Sequence, residues 1–216
     1  MKTIVLTYRA AKELDAVAQP ARQAIGEVLN TYAVTGQGDV TKRSGRDGYR
    51  MRVGNSRILF AQDATTILAV YVGRRCATTY GGATEMLELN PQFIKTEAGD
   101  LVVLTRAEYD AIIGRLNSDE DAEEMAIFDV RMAELASGSD SRLPAHVAAS
   151  MLKGDTLLRA LRKWKGVTQS QVALKTGLAQ GYISDIESGR KPGTPEVVRK
   201  IADAIEIDPQ WLQPSP

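Results

Sequence analysis

The run TQSQVALKTGLAQGYISDIESGRKPGTPEVVRKIADAI, residues 168–205, is punctuated as short helices joined by tight turns. Thr168 and Gln171 have the spacing of a capping box, which satisfies two orphan N–H groups where a helix begins. Val172, Ala173 and Leu174 follow as its apolar content. Gly177 falls where the chain must turn between two helices, and glycine accepts the left-handed backbone such a turn needs. A third helix is expected from about 180 to 188, with Ile183 and Ile186 inward and Gly189 as its stop signal. A fourth over 195–205 carries Val197, Val198, Ile201 and Ile205. Upstream, Leu157, Leu161 and Trp164 give a preceding helix one apolar face.

What stays outside those core faces on the third helix is Gln180, Gly181, Ser184, Asp185 and Glu187. A glutamine can pair bidentately with adenine, and a serine can donate to or accept from either base type. Gln169 opens the second helix, where backbone N–H groups and the helix dipole favour a phosphate. Arg190 and Lys191 follow the third helix and can neutralise backbone charge. These residues are the expected DNA contacts. The segment resembles the Xre (Cro/CI-type) helix-turn-helix family over nearly all of 155–213, which implies operator DNA as partner and a homodimer on two half-sites. Ala179 departs from the family, which usually caps the third helix with serine; the loss is about 1 kcal/mol at that helix start.

Further out, the net charge of zero conceals three blocks. Residues 1–80 hold 12 basic and 6 acidic side chains, 81–143 hold 5 and 14, and 144–216 hold 10 and 7. Three units with different partners are expected, the acidic one lying on a basic surface of its own chain or of a dimer mate. No apolar run reaches the roughly 18 residues of a membrane span. The start, MKTIVLTY, lacks a signal-peptide pattern. The lone Cys76 agrees with a reducing compartment. A cytoplasmic protein without metal or other cofactor is expected.

Residues 2–7 have the β-branched content of a strand. Residues 9–18 and 20–33 have helical spacing, in Ala11, Leu14, Ala18 and in Ala24, Val28, Tyr32, with Pro20 at a helix start. Tyr49, Met51 and Val53 then alternate with Arg50, Arg52 and Gly54. A Gly54-Asn55 turn leads into strands at 56–63 and 65–73. The expectation is an α+β domain, a helical hairpin on about three antiparallel strands. This region has no histidine, and its six acids lack metal-ligand spacing. What it concentrates is arginine: Arg43, Arg46, Arg50, Arg52, Arg57, Arg74 and Arg75, with Lys42 and Tyr80. Arg50 and Arg52 fall on the strand face opposite Tyr49, Met51 and Val53, a cationic face suited to a polyanion.

GYRMRVGNSRILF (48–60), TTILAVYVGRR (65–75) and the following Tyr80 resemble the RelE/ParE toxin superfamily, HigB toxins included. That resemblance implies a RelE-like fold over 1–80 and a latent metal-independent ribonuclease acting on mRNA at the ribosome, with Arg50, Arg52, Arg57, Arg75 and Tyr80 as the candidates for catalysis. Arginine largely replaces lysine here and is a poor general base. A ParE-like gyrase inhibitor, or a regulator with a catalytically inactive RelE-like domain, are the alternatives.

Between the two, 81–91 reads as a linker and 92–143 as an acidic segment. It holds a hairpin over 92–105, a helix capped by Thr105 and Glu108 through about 116, and a second helix opening at Ser118 with Asp119, Glu120 and Asp121. Met125, Phe128, Met132 and Leu135 form its apolar stripe. FIKTEAGDLVVLTRAEYDAII (93–113) resembles the start of HigA-like antitoxins that continue into an Xre domain. The whole then reads as a toxin fused to its own antitoxin: toxin domain 1–80, linker 81–91, acidic segment 92–143, and a mainly α DNA-binding domain 144–216. The acidic segment would mask the cationic face within a chain or across a dimer. His146 is expected to be structural or solvated, and Trp164 and Trp211 core residues.

Overall fold

Short β-branched sequence at the chain start forms β1 (Thr3–Leu6). The Thr7 hydroxyl then accepts from the Ala10 N–H at 3.2 Å and caps α1 (Tyr8–Ala16). Pro20 stands in the first turn of α2 (Gln19–Thr35), where its missing N–H costs nothing. Four strands follow: β2 (Val40–Lys42), β3 (Gly48–Val53), β4 (Ser56–Gln62) and β5 (Thr66–Arg74). The computed structural model describes residues 1–42, 47–74, 92–96 and 99–212, without the side chains of 93, 100, 112–120 and 210.

The sheet runs β1-β5-β4-β3-β2. β2 to β5 form an antiparallel meander, and β1 lies parallel to β5, with Thr3 opposite Thr66 and Leu6 opposite Ala69. Sequence periodicity missed β2, which is only three residues long, and the parallel edge. Partner choice is not written in a strand's own pattern; here the chain passes from β1 through α1, α2 and the strands β2 to β4 before β5 returns beside β1, a connection long enough for a parallel neighbour. The turn at Gly54-Asn55 is as expected, with Val53 opposite Ser56.

Downstream come β6 (Gln92–Thr96) and β7 (Gly99–Val103), a separate two-stranded sheet. Next are α3 (Arg106–Ser137), α4 (Ala145–Leu152), α5 (Leu157–Trp164), α6 (Gln169–Thr176), α7 (Gln180–Glu187) and α8 (Pro195–Ala204). A 3-10 turn over Pro209–Leu212 completes the described chain. The Thr105–Glu108 capping box forms: the Thr105 N–H donates to the Glu108 carboxylate at 2.7 Å, and the Glu108 N–H donates back to the Thr105 hydroxyl at 3.2 Å. The expected second start at Ser118 does not; α3 is one helix of 32 residues. A serine followed by acids looks like a cap locally, but such residues cost a helix interior only about half a kcal/mol each, too little to break it. Among the described residues no helix is long and apolar enough to cross a membrane.

Two compact units result: residues 1–75 together with 128–216, and residues 76–127. This grouping cuts across boundaries drawn along the sequence, because the C-terminal helices share a core with the N-terminal sheet. The wedge is α4, whose Val147, Ala148, Met151 and Leu152 are buried in the same cluster as Leu6, Leu14 and Ile25 on one side and Leu157 and Leu161 on the other. The buried row of α2 is Arg22, Ile25, Gly26, Leu29 and Ala33, not the Ala24, Val28, Tyr32 row that spacing favoured. Gly26 explains the rotation: a Cβ there would lie 2.2 Å from the Leu152 carbonyl oxygen, so the bare backbone lets α4 approach. Leu143 N–H donates to the Leu6 carbonyl at 2.9 Å, and Tyr8 N–H to Ser141 at 2.8 Å, stitching the connection to β1.

Polar contacts fix the same joint. The Glu13 carboxylate accepts from the Val72 N–H at 2.9 Å and from Arg131. Arg131 also reaches Glu134 at 3.3 Å, and Arg9 pairs with Glu134 at 3.2 Å. Burial pushes the Glu13 carboxyl above its ordinary range. Asp15 is also raised by burial, with Arg22 at 3.1 Å and the Leu157 N–H opposing; through that N–H it caps α5 from α1.

Candidate nucleic-acid interface

The α6–turn–α7 pair is built as its punctuation predicts. Thr168 and Gln171 close the capping box, and Gly177 ends α6 at φ 70°, a conformation that strains any residue with a Cβ. Val172 and Ile183 face inward and are fully buried. Leu174, grouped with that apolar content, is instead 86% exposed, because its neighbours on α6 take the inner face. Ala179 makes no side-chain cap, as its lack of a polar atom requires.

Behind α7 lies a buried ion pair. Arg162 of α5 donates to both carboxylate oxygens of Glu187, at 2.5 and 3.0 Å, and to the Val167 carbonyl at 2.8 Å. Gln169 adds an amide donor to Glu187 at 2.9 Å, and the Thr156 hydroxyl bonds the Glu187 carbonyl. Glu187 is 2% exposed. This corrects the sequence reading of Glu187. Glu187 is not on the outward face, while the Gln169 side chain turns to Glu187 and leaves the phosphate role expected at the α6 start to the backbone N–H groups there. A pair 25 residues apart leaves no local pattern to read. Its effect is to fix the rotation of α7, since either charge alone would be costly to bury.

With its rear fixed, α7 presents Gln180 and Gly181 exposed at its first turn and Ser184, half-buried, one turn on. Asp185 beside them gathers the two cations assigned to phosphate. Arg190 donates to one of its oxygens at 2.9 and 2.8 Å, and Lys191 reaches the other at 2.8 Å. Hydrogen bonds from Lys191 and then Arg190 hold the Asp185 carboxyl below its ordinary 3.8. Arg190 and Lys191 remain more than half exposed and flank the face that carries Gln180 and Ser184. The spacing of Asp185, Arg190 and Lys191 is visible in the sequence, but the clamp depends on the tight turn after α7 that folds both cations back onto the carboxylate.

The arginines of the sheet are placed differently from their expected open cationic face. Arg52 stands directly opposite Arg57 across β3 and β4, and Arg50 opposite Leu59. Arg50 is 7% and Arg57 5% exposed, Arg52 half-buried. The same side of β3 carries Gly48, whose position is so close under the Phe128 ring of α3 that a Cβ would meet it at 3.1 Å. Alternation placed the side chains on the right face of the strand but could not show that the face is covered. Arg43, Arg46, Arg75, Tyr80 and Cys76 lie outside the described residues. Lys42 and Arg74 are exposed.

Trp164 is 39% exposed, a correction to its expected core position; its ring lies 6.4 Å from that of half-buried Trp211. His146 is exposed on α4. Among the described residues no group of three His, Cys, Asp or Glu is arranged to hold a metal ion.

Residues 158–212 match the helix-turn-helix family model. A 69-residue stretch is 41% identical to an uncharacterized HTH-type transcriptional regulator of Archaeoglobus fulgidus, covering 28% of this chain and 30% of that protein. The chain thus spans under a third of the length of the curated relative it matches. No solved structure matches.

Proposed function

We propose that this chain is a sequence-specific DNA-binding transcription regulator that inserts α7 into the major groove. The carrying observation is that α7 is locked from behind by Arg162 and Glu187 while Gln180, Gly181 and Ser184 face outward. Gln180 and Ser184 read base edges, and Arg190 and Lys191 contact phosphates, trading the Asp185 carboxylate for the DNA backbone. The helix-turn-helix match over 158–212 and the relative named as a transcriptional regulator support this reading. Two half-sites call for a dimer. The β6–β7 hairpin is the element we assign to it: Ile94, Leu101, Val102 and Val103 are all about half exposed, and a lone two-stranded sheet is marginal in water. The natural operator is the promoter of its own gene. Retardation of duplexes drawn from that promoter tests this, with loss of preference expected for Gln180→Ala and Ser184→Ala.

A second reading, the fused toxin–antitoxin, rests on one observation: the arginine face of the sheet carries buried Arg50 and Arg57 and is capped by Phe128 of α3. In this reading the cap withholds a polyanion-binding face from mRNA on the ribosome, or from gyrase in the ParE-like variant. Residues 1–80 alone are a poor test, because α4 completes their core. Phe128→Ala in the full chain is better. Growth arrest on induction, abolished by adding Arg50→Ala, is the outcome this reading expects; normal growth with a folded variant contradicts it.

A further inference from the structure

Behind α7, a cavity of about 360 Å³ lies between α1 and the helix-turn-helix elements. Its walls are apolar: Leu158 of α5, Ile186 of α7, Val198 of α8, and Trp211 and Leu212. The polar groups at its edge are Lys12 and Asp15, both on α1. They are not equivalent. The Asp15 carboxylate is already matched by Arg22 at 3.1 Å and by the Leu157 N–H. The Lys12 ammonium sits 4.6 Å from the centroid of the Tyr8 ring and, among the described residues, pairs with no carboxylate. Burial and the nearby Arg9 lower its proton affinity, the condition of an amine that lacks an anion.

We propose that this cavity binds a small amphipathic anion, with the carboxylate of the ligand on Lys12 and its hydrocarbon portion against Leu158, Ile186, Val198 and Trp211. Its volume falls in the range of small-molecule sites, which typically run from about 300 to 1,000 Å³, and such sites combine apolar walls with a few orienting polar groups. The site is separate from the DNA-facing residues of α7, although Ile186 gives the ligand a contact with the rear of that helix. The inference does not rest on DNA recognition.

Octanoate serves as the probe and octan-1-ol as its uncharged counterpart, each titrated into the full chain while the Trp211 indole N–H is followed by NMR, Trp164→Phe assigning the two tryptophan signals. Octanoate is expected to shift the Trp211 signal saturably and to bind about tenfold more tightly than octan-1-ol, the difference of one charge-assisted contact. Lys12→Gln is expected to erase that difference while leaving octan-1-ol binding intact. Leu158→Trp, which fills the cavity, is expected to abolish both in a chain that still melts cooperatively. Absence of a saturable shift overturns the proposal. So do equal affinities for the two probes, or octanoate binding unaffected by Lys12→Gln or by Leu158→Trp.

Discussion

Single side chains decide how α7 is held and what it offers. Truncating Glu187 to alanine leaves the Arg162 guanidinium buried beside a carbonyl and no anion. The expected loss is about 3–5 kcal/mol, seen as a lower urea midpoint, and replacing both by apolar residues, as in Arg162→Met with Glu187→Leu, is expected to recover most of it. Asp185 is of the opposite kind, only half-buried and modest in stability but electrostatically placed. Its carboxyl is held low by Lys191 and Arg190, so its contribution is fully present above the ordinary 3.8 and is lost only as pH falls through the lower folded value. The clamp is therefore closed at neutral pH. Asp185→Asn is expected to free both cations and to steepen the dependence of DNA affinity on salt by about one to two counterions; an unchanged slope would refute the clamp. Glu206, at φ 57°, is the one non-glycine residue with positive φ among those described. Glu206→Gly is expected to raise stability by about 1 kcal/mol, even with loss of its 3.6 Å contact to Lys175.

Elements show where local sequence suffices and where it does not. The α6 start at Thr168, its end at Gly177, the α3 cap at Thr105 and the turn at Gly54-Asn55 all lie within a few residues of the groups they serve, and each was legible. The restoring change at α7 is equally local: Ala179→Ser is expected to add about 1 kcal/mol by supplying the missing cap, measured by thermal melting. What could not be read were facts set by another element. The burial of Arg50 and Arg57 depends on what covers β3 and β4, the rotation of α2 on α4, and the place of β1 on the return of β5 at the end of the meander. Gly26 shows this best. In a sequence it looks like a weak point in a helix; in the fold it is the contact with Leu152. Gly26→Ala is expected to destabilise by about 1–3 kcal/mol despite the better helix propensity of alanine, because backbone rather than a side-chain tip must move. Stabilisation would contradict the packing.

At the scale of the molecule, the first unit is a sheet and a DNA-binding motif sharing one core through α4, and the second is the hairpin with the acidic part of α3. Alternating charge along the chain announced separate pieces; it did not announce that the first and last share a core. If the hairpin joins two copies, Leu101→Lys should shift sedimentation toward the monomer and weaken binding to a double half-site more than to a single one; an unchanged dimer would place the interface elsewhere. The central claim is that α7 reads base sequence through Gln180 and Ser184, and selection from randomised duplexes tests it most directly. The account predicts that the native chain enriches a motif of two half-sites about one helical turn apart, and that a Q180A/S184A variant keeps salt-dependent binding but loses preference at the contacted positions. Failure of the native chain to enrich any motif, or enrichment of the same motif by the variant, would contradict it.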